Sequence, residues 1–255
     1  MIQTNQKITW CPGCGNFAIL SAAKEAFLEL IKEGVKKENI VLASGIGCHG
    51  KIVDYINLNS IYCLHGRGIP IMTGIKLANP HLLPIGFFGD GDALNEGIEH
   101  LIHAAKRNSD ITVLIHNNGV FALTTGQVTA TSELWQKNHS TPFGNPEEPL
   151  NVVALMLESN ATFVARGYTR KHNHLKNLIK EAIKHKGFSF IEILQPCITY
   201  NNTFSEYNSK IYEMKEIPLN ALEVAKERAR IPIGIFRKIS KPTYEEIVMN
   251  LVKKN

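Results

Sequence analysis

Apolar residues along the chain follow two different periods. Short runs rich in β-branched residues predict buried strands, and longer segments with apolar residues every three or four positions predict amphipathic helices. The predicted strands are 40–43, 61–64, 82–88, 111–115, 162–165 and 188–194. The predicted helices are 16–33, 70–79, a segment after 95 with Ile98, Leu101, Ile102 and Ala105 on one face, 150–159 and 173–186. This alternation indicates βαβ units, so we predict an α/β fold whose mostly parallel sheet is covered by helices on both faces.

Two stretches interrupt the alternation. Residues 124–149 are rich in Thr, Ser, Asn, Gly and Pro and lack an apolar period. A loop of this length within a compact domain is more often functional than accidental. The C-terminal stretch is polar and irregular apart from short helical segments near 219–229 and 243–253. We therefore predict a main domain over residues 1–200, with residues 201–255 forming an arm packed on that domain or on a partner subunit.

The bulk composition excludes several classes of protein. The 255 residues are 44% hydrophobic and 20% charged, as in ordinary soluble domains. The net charge of +5 comes from scattered Lys and Arg residues without an interleaved aromatic stripe, which argues against nucleic acid as a partner. A basic face that attracts an acidic electron carrier is an alternative to a surface without function. No apolar run spans a bilayer and no secretory segment opens the chain, so we expect a cytoplasmic protein without membrane contact.

Polar turns follow two of the predicted strands. A Gly-Asp-Gly-Asp turn at 89–92 follows one strand, and Asn118 follows the next one along the chain. Each would be an ordinary turn in isolation. An acid and an amide at neighbouring strand ends can share one Mg²⁺ with a phosphate group, and this spacing is the signature of a thiamine diphosphate site. We predict Asp90, Asn118 and the backbone carbonyl of Val120 as Mg²⁺ ligands. Gly91 would let the backbone approach the diphosphate, and Asp92 would accept hydrogen bonds in the same turn.

Four of the five cysteines are candidate ligands of a metal centre. Cys11 and Cys14 form a close pair, while Cys48 and Cys197 follow distant predicted strands. Without an export signal, this usage favours metal binding or catalysis over disulfides. The placement suits an iron–sulfur cluster, and a structural zinc site, a redox pair and separate buried thiols are the alternatives. Cys63 lies inside an apolar run and is predicted to be a buried residue that binds no metal.

Residues 45–50 also match the dinucleotide-binding pattern G-x-G-x-x-G after a strand. That pattern requires an acidic residue about 20 positions later to bind the ribose. Because no Asp or Glu lies between Asp54 and Asp90, and because the glycines enclose Cys48, the sequence argues against a nicotinamide cofactor.

Five short motifs, taken in order, carry a family resemblance. They are Trp10-Cys11-Pro12-Gly13-Cys14-Gly15, Ser44-Gly45-Ile46-Gly47-Cys48, Leu64-His65-Gly66-Arg67, Gly89-Asp90-Gly91-Asp92 and Asn118-Gly119-Val120. Over residues 8–200 the chain resembles the beta subunit of thiamine-diphosphate-dependent 2-oxoacid:ferredoxin oxidoreductases. The resemblance implies a thiamine-binding fold for residues 1–200, with a 4Fe–4S cluster on Cys11, Cys14, Cys48 and Cys197. It implies cofactor contacts from the residues Ile46, Gly47, Cys48, His49, His65, Gly91, Asp92, Asn118, Val120, Ala122 and Leu123. His49 departs from the family, which often has a small residue there.

The resemblance also implies a reaction and its partners. Thiamine diphosphate with Mg²⁺ would stabilise the carbanion formed as CO₂ leaves a 2-oxoacid, the cluster would pass electrons to ferredoxin, and coenzyme A would take the acyl group. His65 and Lys51 are the predicted catalytic residues, and Lys51 with Leu123 would select among pyruvate, 2-oxoglutarate and other 2-oxoacids. Only one of the two domains that enclose thiamine is present, so an alpha subunit is expected. A non-redox thiamine-dependent decarboxylase or synthase with a structural metal site, and a non-catalytic electron-transfer or assembly module, remain the alternatives.

Overall fold

The computed structural model describes residues 2–254, and in that range the strands form one eight-stranded sheet. The strands are β1 (Ile40–Ser44), β2 (Asn59–Tyr62), β3 (Leu83–Gly89), β4 (Thr112–Asn117), β5 (Phe163–Tyr168), β6 (Ser189–Leu194), β7 (Ile211–Glu213) and β8 (Ile231–Lys238). The α-helices are α1 (Asn16–Lys32), α2 (Ile52–Tyr55), α3 (Gly68–Ala78), α4 (Ile98–Arg107), α5 (Val152–Glu158), α6 (His172–Lys184), α7 (Phe204–Lys210), α8 (Ala221–Ala225) and α9 (Tyr244–Lys254). Short 3₁₀ turns lie at Lys37–Asn39 and Cys48–Lys51, and a π-helical turn lies at Gly91–Asn95.

The sheet is mostly parallel and is covered on both faces. Its strand order is β2-β1-β3-β4-β6-β5-β8-β7, and β8 runs antiparallel to β5. One core packs α1 and α6 against the sheet, and a second core on the opposite face contains α3, α4 and α5. The predicted α/β class is therefore confirmed.

The apolar stripe of α1 shows why this helix forms where the pattern predicts it. Ile19, Ala23, Phe27 and Leu30 recur at helical spacing and are fully buried against the sheet. Burying a Leu or Phe side chain stabilises a fold by about 1.5–3 kcal/mol. Packing, more than intrinsic propensity, therefore holds this helix in place.

The order of the strands creates two places where a ligand can enter. From β1 the chain passes to β2 on one side, and then returns to place β3 on the other side of β1. It likewise passes from β4 to β5 and returns to insert β6 between them. Ligands of open α/β sheets bind at such switch points, beyond the carboxyl ends of the strands. The turns that follow β1, β3, β4 and β6 all meet at this edge.

The prediction of a buried strand at 61–64 was wrong. The strand there is β2 at Asn59–Tyr62, and its residues are exposed because it lies at the edge of the sheet. The helix expected after residue 95 is α4 at Ile98–Arg107, and a π-helical turn at Gly91–Asn95 precedes it. Single π turns inside helical segments are frequent at functional sites.

The C-terminal stretch contains a strand that the apolar pattern did not predict. β8 pairs with β5 over four registered positions and with β7 on its other side, so residues 201–254 pack on the rest of the chain through the sheet. Pro232 and Gly234 interrupt the apolar run and hide the strand from a pattern search. Contact of this stretch with a partner subunit stays a prediction. In the described residues, no helix combines the length and apolarity that crossing a membrane requires.

Candidate functional site

A cavity opens at the carboxyl edge of the sheet, between the turns that follow β1, β3, β4 and β6. Its lining includes every residue that the sequence predicted to contact the cofactor: Ile46, Gly47, Cys48, His49, His65, Gly91, Asp92, Asn118, Val120, Ala122 and Leu123. Gly89, Asp90, His116, Phe121, Thr124 and Gln195 complete the lining. The fold thus brings one set of residues together from five separate segments. Their contact with a cofactor stays a prediction.

Asp90 is the buried acid of the cavity. One of its carboxylate oxygens, Oδ2, accepts hydrogen bonds from Thr129 Oγ1 at 2.5 Å and from Thr131 Oγ1 at 2.8 Å. Burial raises the pKa of Asp90, while the two threonine hydroxyls and the backbone N–H of Asn118 oppose that rise. A buried carboxylate needs hydrogen bonds or a cation to remain ionised. The arrangement fits a carboxylate that faces a metal ion with its other oxygen.

Asn118 lies beside Asp90 at the end of β4. Its Oδ1 accepts a hydrogen bond from the backbone N–H of Val120 at 3.0 Å, which shapes the turn. An amide oxygen has two lone pairs, so a second one remains for a cation. The backbone carbonyl of Asn118 accepts a hydrogen bond from Asn201 Nδ2 at 2.8 Å. Asn201 thus holds the turn from the C-terminal stretch of the chain.

Asp92 connects its own turn to the turns that follow β1 and β2. Its Oδ1 accepts hydrogen bonds from the backbone N–H of Gly66 at 2.9 Å and of Ile46 at 3.3 Å. The same oxygen lies 2.8 Å from Nδ1 of His65. The expected hydrogen bonds within one turn are therefore replaced by bonds to the segments after β1 and β2. A Cβ on Gly45 would lie 1.7 Å from the Asp92 carboxylate, so only glycine leaves room for it.

Two buried imidazoles face the cavity in their neutral form. Burial lowers the pKa of His116 to about 3, and burial together with electrostatic coupling to the neighbouring imidazoles of His116 and His65 lowers the pKa of His49 well below its usual value. His116 Nδ1 lies 2.8 Å from Asn16 Oδ1, which can only accept, so this nitrogen carries the proton. Within residues 2–254, Nε2 of both rings is buried without a hydrogen-bond partner. In His116 this nitrogen is an acceptor because Nδ1 carries the proton, and a ligand with an N–H or O–H donor would satisfy it.

Gly91 shows how closely the backbone approaches the cavity. A Cβ at this position would lie 2.3 Å from the ring of Phe121, so any larger residue would displace that ring. Phe121 in turn stands edge-on to His65, with 6.0 Å between the ring centroids. Packing of Phe121 against the turn thus explains the glycine, and contact of Gly91 with a diphosphate stays a prediction.

Four thiols gather next to this cavity. Burial, with smaller contributions from the nearby thiols of Cys197, Cys48 and Cys11, raises the pKa of Cys14 to about 11, although a hydrogen bond from the backbone N–H of Asn16 opposes the rise. The four cysteines predicted as cluster ligands therefore lie within electrostatic reach of one another. We call this group the thiol basin: Cys11, Cys14, Cys48 and Cys197. Ionising several buried thiols side by side requires a strong positive centre, which iron ions provide.

Several contacts position the thiol basin. The backbone carbonyl of Cys48 accepts a hydrogen bond from the indole N–H of Trp10 at 2.6 Å, and Cys197 exchanges two backbone hydrogen bonds with Asn201. Among residues 2–254, no three His, Cys, Asp or Glu side chains are arranged to hold a single metal ion. Metal binding by the basin stays a prediction.

Cys63 and Lys51 lie outside these groups. Cys63 is buried, and burial together with the charge of Asp92 raises its pKa, with no contribution from a basin cysteine. Lys51 does not line the cavity. Its Nζ donates a hydrogen bond to Thr9 Oγ1 at 3.0 Å in a surface groove near the N-terminal segment. Selection of the substrate by Lys51 stays a prediction, and the structure does not bring this residue to the cavity.

Sequence reasoning missed several residues of the site. They are Thr129, Thr131, His116, Phe121, Thr124, Gln195 and Asn201. The threonines stand in the long polar loop that was expected to be functional, but nothing in the loop indicates which hydroxyls reach Asp90. Thr131 Oγ1 also lies 2.8 Å from Asn117 Oδ1, so its single hydroxyl hydrogen is shared between that oxygen and Asp90, and Asn117 donates to the buried Glu192 at 2.7 Å. This series of hydrogen-bonded polar groups helps to hold the Asp90 carboxylate in position.

Comparison with known proteins assigns both parts of the chain. Residues 45–193 match the family described as thiamine pyrophosphate enzyme, C-terminal TPP binding domain. Residues 197–253 match the family described as the C-terminal part of the pyruvate ferredoxin oxidoreductase beta subunit. The first match alone covers more than half of the chain.

Whole-chain relatives agree. The chain is 44% identical to a 2-oxoacid:ferredoxin oxidoreductase subunit beta from a Sulfolobus species, over 95% of this chain and 86% of that one. It is 48% identical to a protein of the same name from Saccharolobus solfataricus, over 82% and 69% of the two chains. A solved 2-oxoglutarate:ferredoxin oxidoreductase from Magnetococcus marinus, with 2-oxoglutarate, coenzyme A and succinyl-CoA bound, superposes with a TM-score of 0.95 at 32% identity, over 99% of this chain and 89% of that one. Cavity, fold and relatives agree with the resemblance seen in the sequence, and the chain belongs to the beta subunits of the 2-oxoacid:ferredoxin oxidoreductases.

Proposed function

We propose that this chain binds thiamine diphosphate through Mg²⁺ on Asp90, Asn118 and the Val120 carbonyl, and a 4Fe–4S cluster on the thiol basin. With an alpha subunit it would oxidise 2-oxoacids, pass the electrons to ferredoxin and transfer the acyl group to coenzyme A. The observation that carries the proposal is the position of Cys48, which lines the cavity and also belongs to the thiol basin. The proposed cluster would therefore lie directly beside the cavity, and an electron released there would have a short path to it.

The residues of the cavity support the cofactor half of the proposal. Asp90 presents a buried carboxylate, and Asn118 a neighbouring amide oxygen, which are the hard oxygen ligands that Mg²⁺ prefers. When bound, thiamine diphosphate supplies an electron sink at the carbon that loses CO₂. The chain itself would position that group, exclude water with Phe121, and offer Nε2 of neutral His116 as a hydrogen-bond acceptor.

The thiol basin supports the redox half. All its side-chain ligands are thiols, as in most iron–sulfur proteins. Cys197 and half-buried Cys14 and Cys48 form its inner side, while Cys11 is exposed. The exposed edge offers a route for electrons to a carrier docked on the surface. A cytoplasmic location, where thiols stay reduced until iron is delivered, is part of the proposal.

The rim of the cavity supports a partner subunit. Leu123 is 50% exposed and Ile46 40%, and both line the cavity, while Leu64, which is 77% exposed, directly precedes the lining residue His65. Exposed apolar groups beside a polar cleft mark surfaces that another protein covers. We propose that the alpha subunit binds there and encloses the other half of the cofactor, so the beta chain alone is inactive.

The test is the activity of the anaerobically purified complex with its alpha subunit. Ferredoxin reduction should require coenzyme A and a 2-oxoacid, with pyruvate and 2-oxoglutarate compared side by side, and the protein should show the broad visible absorption of iron–sulfur clusters. A colourless complex that contains zinc and releases CO₂ without reducing ferredoxin would refute the redox half. Full activity of the beta chain alone would refute the requirement for an alpha subunit.

The metal ligands are tested separately. Asp90→Ala should abolish Mg²⁺-dependent retention of thiamine diphosphate, and Asn118→Ala should weaken it, because each removes an oxygen ligand. Gel filtration of the complex followed by cofactor analysis measures the retention. Wild-type cofactor content in both variants would place the metal site elsewhere.

A further inference from the structure

Gln195 lies between the cavity and the thiol basin. It follows β6, it is only 2% exposed, and it lines the cavity together with His116 and Cys48. Its backbone N–H donates to the carbonyl of Asn117 at 2.8 Å, which fixes it against the end of β4. The side chain is therefore held in place between the two proposed cofactor sites.

The side-chain amide of Gln195 points at the sulfur of a basin cysteine. Its Nε2 lies 3.6 Å from Cys14 Sγ, within the range of an N–H···S hydrogen bond, and 3.4 Å from the carbonyl of Pro196. The backbone N–H of Asn16 also donates to the Cys14 sulfur, and a second side-chain donor to a basin sulfur is Thr199 Oγ1, which lies 3.5 Å from Cys11 Sγ. Thr199 is exposed, so water can replace its hydroxyl, whereas no water is available to replace a buried amide.

Gly15 makes room for this contact. A Cβ added to Gly15 would lie 2.7 Å from Cγ of Gln195 and 3.3 Å from its Nε2. The backbone of Gly15 has φ −60° and ψ −21°, values that any residue adopts at the start of a helix. Space for Gln195 is thus the evident reason for a glycine beside Cys14.

We infer that Gln195 is a positioning residue that raises the reduction potential of the cluster by donating a hydrogen bond to Cys14 Sγ. The inference rests on the cluster proposed above. Reduction of the cluster adds one electron, which the 2-oxoacid releases as it is oxidised. The cluster becomes more negative by one charge. An N–H dipole aimed at a ligand sulfur stabilises the more negative state, and such bonds are among the factors that set cluster potentials.

Redox titration of the anaerobic complex, followed by the electron paramagnetic resonance signal of the reduced cluster, tests the inference. Gln195→Met keeps the length of the side chain and removes the donor. The ratio of reduced to oxidised cluster at a fixed potential should fall by about threefold, equivalent to a midpoint about 28 mV more negative for one electron. Gly15→Ala leaves Gln195 unchanged but displaces its amide, and the potential should move in the same direction.

Two variants serve as controls. Gly74→Ala adds a Cβ in α3 with no atom within 4 Å, and Thr199→Val removes the exposed donor to Cys11. Both should keep the wild-type potential. Wild-type potentials in Gln195→Met and Gly15→Ala, with full iron content, would overturn the inference and leave the cluster itself intact. A wild-type complex without iron would overturn the proposed function, and the role of Gln195 with it.

Discussion

Removing the hydrogen bond from Thr129 to Asp90 is predicted to weaken cofactor binding. Thr129→Val has nearly the same shape and removes only the hydroxyl that lies 2.5 Å from the carboxylate. Both residues are buried, so water does not restore the lost bond. A hydrogen bond to a charged group contributes about 1.5–3 kcal/mol, which corresponds to a change of roughly 10- to 100-fold in an equilibrium constant. Because Thr131 keeps the second hydroxyl contact to Asp90, the expected loss of affinity lies toward the lower end of that range.

The pH dependence identifies the cause of that loss. Burial raises the pKa of Asp90, and Mg²⁺ binds the ionised carboxylate, so the affinity for Mg²⁺ and thiamine diphosphate should rise with pH and level off above this pKa. Removing the hydroxyl raises the pKa further. The deficit of Thr129→Val should therefore be largest at low pH and should shrink as the pH rises and both proteins become ionised.

Isothermal titration calorimetry of the cofactor-free complex, at about pH 6 and about pH 8, measures both effects. Thr129→Ser is the matched control, because it keeps the hydroxyl and loses only a methyl group, and it should bind nearly as the wild type does. The reasoning is refuted if the Val variant binds like the wild type at both pH values, or if the Ser variant shows the same deficit.

Three further predictions concern the cluster, the metal-binding turn and the substrate. Cys197→Ala should lose iron and ferredoxin reduction, whereas Cys63→Ser should keep both; iron analysis with the opposite result would reverse the assignment. Asn201→Ala removes the amide that holds the turn after β4 and should lower thiamine diphosphate retention several-fold, which cofactor analysis after gel filtration measures. Leu123→Ala should raise kcat/KM for 2-oxoacids with larger side chains, by on the order of 1–3 kcal/mol per methylene. Lys51→Ile, which removes an ammonium outside the cavity, should instead change kcat/KM for all 2-oxoacids alike; a selective loss for 2-oxoglutarate would place Lys51 at the substrate.

The sequence by itself determined the class of the fold and most of the cavity. The apolar periods predict most of the strands and helices up to residue 194, because each depends on neighbouring residues along the chain, but they miss α2 and misplace β2. The turns that carry Cys48, Asp90 and Asn118 were predictable for the same reason, since a glycine-rich turn after an apolar run marks the carboxyl end of a strand. Parallel strands bring such ends to one edge, so their proximity followed from the fold class.

The tertiary structure alone decided which distant side chains complete the site. Thr129 reaches Asp90, Asn201 reaches the turn after β4, and Gln195 reaches Cys14, across separations that leave no periodic signal. Lys51 shows the reverse case, because it follows the Cys48 turn closely in sequence but extends into a different groove. Local patterns specify where the backbone turns. The direction of a polar side chain depends on which donors and acceptors the whole fold places around it, and only the packed chain determines that.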